Sequence, residues 1–227
     1  MLDSLFRSFD NIIVLDTETT GTRHKADEII ELAAVKIKKS EACISETDEF
    51  DLLIKLSEGR KIPAEIERIT GISDEMLVKN GVKKEIAADR FCKMLECERP
   101  LIVAYNAQFD LCFLYYFLAR LGRADILKSV KFLDVLTIYK DRNEYPHRLS
   151  DAVARYELKT QNTHRAVDDA KATVELLVAM EKEKDDIPKY INLFGYNPRY
   201  GISGPKISSV TYVSQPYYSP NKIYERK

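Results

Sequence analysis

Cysteine and histidine are scarce: the 227 residues include four cysteines (Cys43, Cys92, Cys97, Cys112), irregularly spaced, and three histidines. So few histidines to partner irregular cysteines exclude a structural zinc site as the organising feature, and the cysteines read as reduced thiols. Cys92 and Cys97 are expected to be ordinary helix-face residues. Long hydrophobic runs are missing as well. The longest apolar run near the N-terminus covers only residues 12–15, which predicts no membrane span and no secretory leader, and leaves a cytoplasmic address as the expectation. An excess of positive charge is also absent, with 35 Lys and Arg against 36 Asp and Glu and a net charge of −1. That excludes a broad basic surface following a long duplex. It does not exclude a protein that grips one strand end through metal ions, because the ions bring positive charge to the site. No internal repeat or low-complexity tract is found.

What is present suits one soluble globular core, at 45% apolar and 31% charged residues. The segment 11–15, apolar from Ile12 on, ends in acids and predicts a central strand buried on both faces. Partial alternation over 29–37 and again over 50–56 predicts two more strands, and with the first an antiparallel meander. Pro63 and Gly71 then bracket a short helix. Helical spacing recurs over 86–95, 111–121 and 167–178, with Ser150 as the expected N-cap of a helix over 151–156. Short strands are expected at 101–104 and 132–135. Strands first, then alternating helices and strands, point to a mixed α/β sheet flanked by helices.

The segment from residue 185 onward differs in character. It carries six Lys or Arg against three acids and holds seven of the thirteen tyrosines. Residues 1–184 therefore read as the main domain and 185–227 as a basic, tyrosine- and proline-rich extension. Residues 207–213 can add a strand to it after a turn-rich approach.

Three segments bear chemistry. Asp16 and Glu18 follow the first strand, and residues two apart in an extended chain point the same way. Asp110 follows a short apolar strand, four residues beyond Asn106. His164 and Asp169 are five apart at the start of the last long helix. Taken singly, each has an ordinary reading as a strand-end acid, a helix cap or a surface group. Together they are acids at the ends of elements that can converge at one sheet edge. Four carboxylates so placed repel one another unless cations neutralise them, and oxygen ligands suit Mg²⁺ or Mn²⁺.

The segments DTETTG (16–21), YNAQFD (105–110) and HRAVDDA (164–170) resemble the three motifs of the DEDDh 3′–5′ exonucleases, the family of the polymerase III proofreading epsilon subunit and RNase T. The likeness spans roughly residues 10–182, and ITGIS (69–73) looks like the stretch beside the terminal base. It implies an RNase H-like fold with a mixed five-stranded sheet. It further implies that Asp16, Glu18, Asp110 and Asp169 hold two Mg²⁺ or Mn²⁺ ions, with His164 as general base. Asp169 rather than Asp168 falls at the family spacing. Thr19, Thr20, Asn106 and Tyr105 would position the terminal nucleotide. Many relatives have histidine where this chain has Tyr105, which puts that one contact in question.

The expected reaction is metal-dependent removal of nucleoside 5′-monophosphates from a nucleic-acid 3′ end. Single-stranded DNA is favoured, with trimming of RNA 3′ ends and a catalytically silent nucleic-acid-binding module as the alternatives. Proofreading would require a polymerase as a separate partner.

Overall fold

The computed structural model describes residues 1–39, 44–160, 163–217 and 221–226, so Cys43 lies outside it. Strand β1 (Asn11–Thr19) is the spine of a mixed five-stranded sheet of order β3-β2-β1-β4-β5. It pairs antiparallel with β2 (Ile29–Lys39) and parallel with β4 (Pro100–Ala104), while β3 (Ile44–Leu53) and β5 (Lys131–Asp134) complete the two flanks. The helices are α1 (Asp3–Phe6), α2 (Ala64–Thr70), α3 (Asp74–Asn80), α4 (Lys84–Met94), α5 (Ala107–Arg120), α6 (Val135–Arg142), α7 (Leu149–Arg155) and α8 (Ala166–Glu183). This is the mixed α/β sheet that the element order predicted.

The alternation of β1 sorts its side chains into two cores. Ile12 and Val14 pack with Val35, Val103 and, from α8, Leu176 and Leu177. Ile13 and Leu15 face the other way, against Phe91 of α4 and Leu111 and Leu114 of α5. The same alternation continues past the apolar run. It directs Asp16 and Glu18 toward the α8 side and Thr17 toward the α5 side.

Three boundaries differ from expectation. Strand β3 begins at Ile44 rather than at residue 50. It is an edge strand in which Phe50 alone among the described residues is buried, so its polar first half gave no apolar signal. Pro63 is the residue before α2 rather than its first, with φ −60° and ψ 140°. Ser150 lies inside α7; the cap position is Arg148, whose N–H donates to the Asp151 carboxylate at 2.7 Å.

Beyond α8 the chain folds back onto the domain. Ile187, Tyr190 and Leu193 enter the α8-side core, and Phe194 and Val210 the α5-side core. Asn192 seals the outer edge of β5: its N–H donates to the Phe132 carbonyl at 2.8 Å, and its side-chain oxygen accepts the Phe132 N–H at 2.7 Å. A parallel pair follows, β6 (Leu193–Tyr196) with β7 (Thr211–Ser214). The added strand is thus shorter and later than residues 207–213, and its partner lies within the same extension. No helix among the described residues is long and apolar enough to cross a membrane.

Candidate active site

Asp16 and Glu18 stand at the end of β1, where Glu18 lies opposite Glu31 of β2. Register shifts at Glu18/Thr19 as the strand leaves the sheet. The loop that follows is tied closely. The Thr19 hydroxyl donates to the Gly21 carbonyl at 2.6 Å, and the Thr20 hydroxyl accepts the Glu28 N–H at 2.9 Å. A Cβ at Gly21 would stand 2.6 Å from the Asp27 carboxylate, which would have to move from its bonds with Arg23.

Asp110 arrives from the opposite layer. It sits in the first turn of α5, only 3% exposed, and accepts the Thr17 N–H at 3.0 Å and the Thr17 hydroxyl at 2.7 Å. Asn106 initiates this helix in the left-handed region, φ 69°, without capping it through its side chain. The cap comes instead from Asp134 at the end of β5. Its carboxylate accepts the N–H groups of Asn106 and Ala107, each at 3.0 Å, and also caps α6 through Leu136 and Thr137. Tyr105 is half-buried, and its hydroxyl donates to the His147 carbonyl at 2.8 Å.

The third segment opens α8. His164 is exposed with φ 58°, while Asp169, 6% exposed, turns inward and accepts the Thr163 N–H at 3.2 Å. Asp168 points elsewhere and accepts the Thr163 hydroxyl at 2.6 Å. An imidazole nitrogen of His164 and carboxylate oxygens of Glu18 and Asp169 lie within 4.8 Å of one another.

The acids are electrostatically crowded. Burial raises the Asp16 carboxyl well above its ordinary range, and repulsion from Asp110, Asp169, Glu18 and Glu31 adds to this. Glu18 is pushed up to about 8 by burial and then by Asp169, Glu31 and Asp110, with Arg165 opposing. Asp110 rises to about 7, mainly through burial, although its bonds to Thr17 pull the other way. A folded chain that collects such carboxyls has built a place where a divalent cation relieves the repulsion, and oxygen donors suit Mg²⁺ or Mn²⁺.

Two supporting groups escaped the sequence reading. Glu31 is fully buried; it binds Arg165 through Nε at 2.8 Å and through the guanidinium Nη2, and accepts the Ala166 N–H at 2.9 Å. It thereby fixes the residues on the C-terminal side of His164. Its signal was one acid interrupting the apolar residues of β2. Asp134 carried the other signal, an acid between a strand and a helix.

Carboxylates from both layers thus meet at one sheet end beside a histidine at the start of α8. Residues 13–177 match the RNase T exonuclease family. The chain belongs to this family of DEDDh-type 3′–5′ exonucleases. It is 35% identical over 174 residues to the PolC-type DNA polymerase III of Thermotoga petrophila, a match covering 75% of this chain and 12% of that protein. The Bacillus subtilis PolC-type enzyme is 33% identical over 178 residues, covering 77% and 12%. The chain thus spans about an eighth of these relatives. Among solved structures, E. coli exonuclease I in complex with a dA16 oligonucleotide superposes with a TM-score of 0.71 at 19% identity, over 80% of this chain and 42% of that one. Exonuclease I from Methylocaldum szegediense gives 0.65 at 18% identity, over 78% and 41%. These likenesses carry the fold, an RNase H-like exonuclease architecture.

Proposed function

We propose that this protein removes nucleotides one at a time from the 3′ end of single-stranded DNA, releasing nucleoside 5′-monophosphates, with His164 as general base. The observation that carries the reading is the meeting of Glu18, His164 and Asp169 beside two further crowded acids, Asp16 and Asp110. The carboxyls of Asp16, Glu18 and Asp110 are raised chiefly by burial, and with Asp169 beside them the set fits a pair of divalent cations, which Asp16, Glu18, Asp110 and Asp169 would hold. Such ions, when bound, supply positive charge to the phosphate and lower the pKa of a water. His164 stands exposed with a ring nitrogen within 4.8 Å of Glu18 and Asp169 oxygens, and would take the proton of the attacking water as general base. Asn106, Tyr105, Thr19 and Thr20 frame the terminal nucleotide. The buried hydroxyls of the threonines hold the loop rather than face outward, so their contribution is the loop's shape.

DNA is favoured because PolC-type polymerases are the sequence relatives and exonuclease I is crystallised with DNA oligonucleotides. A proofreading role would have a polymerase as partner. The test is digestion of matched single-stranded DNA and RNA with Mg²⁺ or Mn²⁺, followed by chromatography of the products. Deoxynucleoside 5′-monophosphates in excess support the reading. Faster release from RNA reverses the substrate assignment, and oligonucleotide fragments overturn the end-directed reaction.

A further inference from the structure

A second region of the surface combines exposed rings with cations that form no salt bridge among the described residues. Lys140 of α6, Tyr145, His147 and Arg148 of the α6–α7 connection, and Tyr200 and Tyr217 of the extension line a cavity of about 300 Å³. The ring of His147 lies parallel to Tyr217, 5° between planes and 6.5 Å between centroids. Tyr145 stands edge-on to both, at 5.8 and 5.7 Å. Folded proteins seldom leave several large rings open to water in one place without a partner for them. Here Tyr145 and Tyr200 are each 70% exposed and Tyr217 is 57% exposed.

The charge at the groove has one sign. Lys140 and Arg148 are in its lining, and the Arg199 guanidinium lies 5.6 Å over the Tyr200 ring. Among the described residues none of the three forms a salt bridge, although Lys140 is half-buried and attracted by Asp134, whereas Arg90, Arg99, Arg123 and Arg142 all have one. The groove also adjoins the candidate active site, since the Tyr105 hydroxyl is bonded to the His147 carbonyl and Asn106 is the next residue. Tyrosine faces interleaved with cations that form no salt bridge match a single nucleic-acid strand, whose bases stack and whose phosphates need neutralising.

We propose that this groove is the track for the nucleotides upstream of the 3′ end. On this assignment bases stack on Tyr145, Tyr217 and Tyr200, and phosphates lie against Lys140, Arg148 and Arg199. It rests on the exonuclease reading, and it adds a site to which the extension contributes two of the three tyrosines, outside the family match at residues 13–177. It also accounts for how a chain of net charge −1 holds a polyanion: the cations are gathered along one path.

The test uses the full chain and 5′-labelled oligothymidylates of three and twelve nucleotides. Binding is read by fluorescence anisotropy in Ca²⁺ and hydrolysis in Mg²⁺. The wild type binds the twelve-mer far more tightly than the trimer. Tyr145→Ala/Tyr217→Ala weakens twelve-mer binding about a hundredfold, at about tenfold per lost stacking ring. It leaves trimer hydrolysis and the melting temperature unchanged. Arg148→Gln lowers the slope of log affinity against log salt by about 0.7, the loss of one phosphate contact, which a merely structural role would not move. Twelve-mer affinity unchanged in both variants, or equal affinity for both lengths in the wild type, overturns the groove while leaving hydrolysis to report on the catalytic centre. Tyrosine-dependent binding of the twelve-mer with no hydrolysis of either oligonucleotide keeps the groove and overturns the exonuclease reading.

Discussion

Replacing Arg165 with methionine isolates the role of the Glu31–Arg165 pair. Glu31 is fully buried, and without Arg165 its carboxylate keeps the Ala166 N–H but loses the guanidinium. Removing one partner of a buried ion pair costs about 3–5 kcal/mol. Arg165 is 36% exposed, so solvent softens the loss and about 2–3 kcal/mol is expected. For a chain of this size that lowers Tm by about 5–10 °C. The effect reaches the site because Arg165 follows His164 directly and precedes the turn that carries Asp169. A displacement near 1 Å of a catalytic group costs on the order of a hundredfold in rate, so kcat should fall at least tenfold with KM little changed. The double variant Glu31→Met/Arg165→Met removes the stranded charge together with its partner. It should be more stable than Arg165→Met alone. Thermal melts and steady-state hydrolysis decide the matter. An Arg165→Met protein that melts with the wild type at full activity refutes the reasoning, as does a double variant less stable than either single one.

The acid cluster links stability to pH and metal. Glu18 is shifted from 4.5 to about 8 and Asp110 from 3.8 to about 7, so between those values the folded protein binds more protons than the unfolded one. Metal-free protein therefore loses stability as pH rises, through Glu18 between about 4.5 and 8 and through Asp110 between about 3.8 and 7, by up to about 1.4 kcal/mol per pH unit for each group. Adding Mg²⁺ should raise Tm more at pH 8 than at pH 5; equal shifts at the two would contradict the crowding. Asp134→Ala leaves the N–H groups of Asn106, Ala107 and Thr137 without their acceptor, which should cost about 2–4 kcal/mol and reduce activity together with Tm. Truncation before residue 185 removes Ile187, Tyr190, Leu193, Phe194 and Ile223, all nearly fully buried. At about 1.5–3 kcal/mol per side chain this rivals the whole stability of an ordinary domain, so the truncated chain should lose its cooperative melt; a sharp transition near the wild-type Tm would show the extension to be dispensable.

The sheet was legible because the apolar runs of β1 and β4 are continuous and β2 is mostly apolar with its polar residues partly alternating, and the central helices because their stripes face those strands. The edge strand β3 was half legible, since solvent accepts Glu46, Asp48 and Glu49 on it as readily as any loop does. Strands β6 and β7 were harder still. They pair with each other across a turn-rich segment, and their place depends on Asn192 closing the β5 edge, a contact no local pattern encodes. At the site, Asp16 and Glu18 announce themselves by period two, and Asp169 by the spacing from His164 that the family resemblance implies. Glu31 and Asp134 stayed hidden because an acid's burial, and the backbone N–H groups it caps, are decided by neighbours distant in sequence. Tyr145, His147 and Tyr217 are likewise brought together by the fold alone.

The most direct measurement follows 5′-labelled single-stranded DNA over time with wild-type protein, Asp16→Asn and His164→Ala, in Mg²⁺ and in EDTA. A ladder shortening one nucleotide at a time in Mg²⁺, absent in EDTA and with Asp16→Asn, and slowed by orders of magnitude with His164→Ala, is the predicted result. A ladder made equally well by Asp16→Asn, or persisting in EDTA, would contradict the assignment of this acid cluster as the catalytic centre.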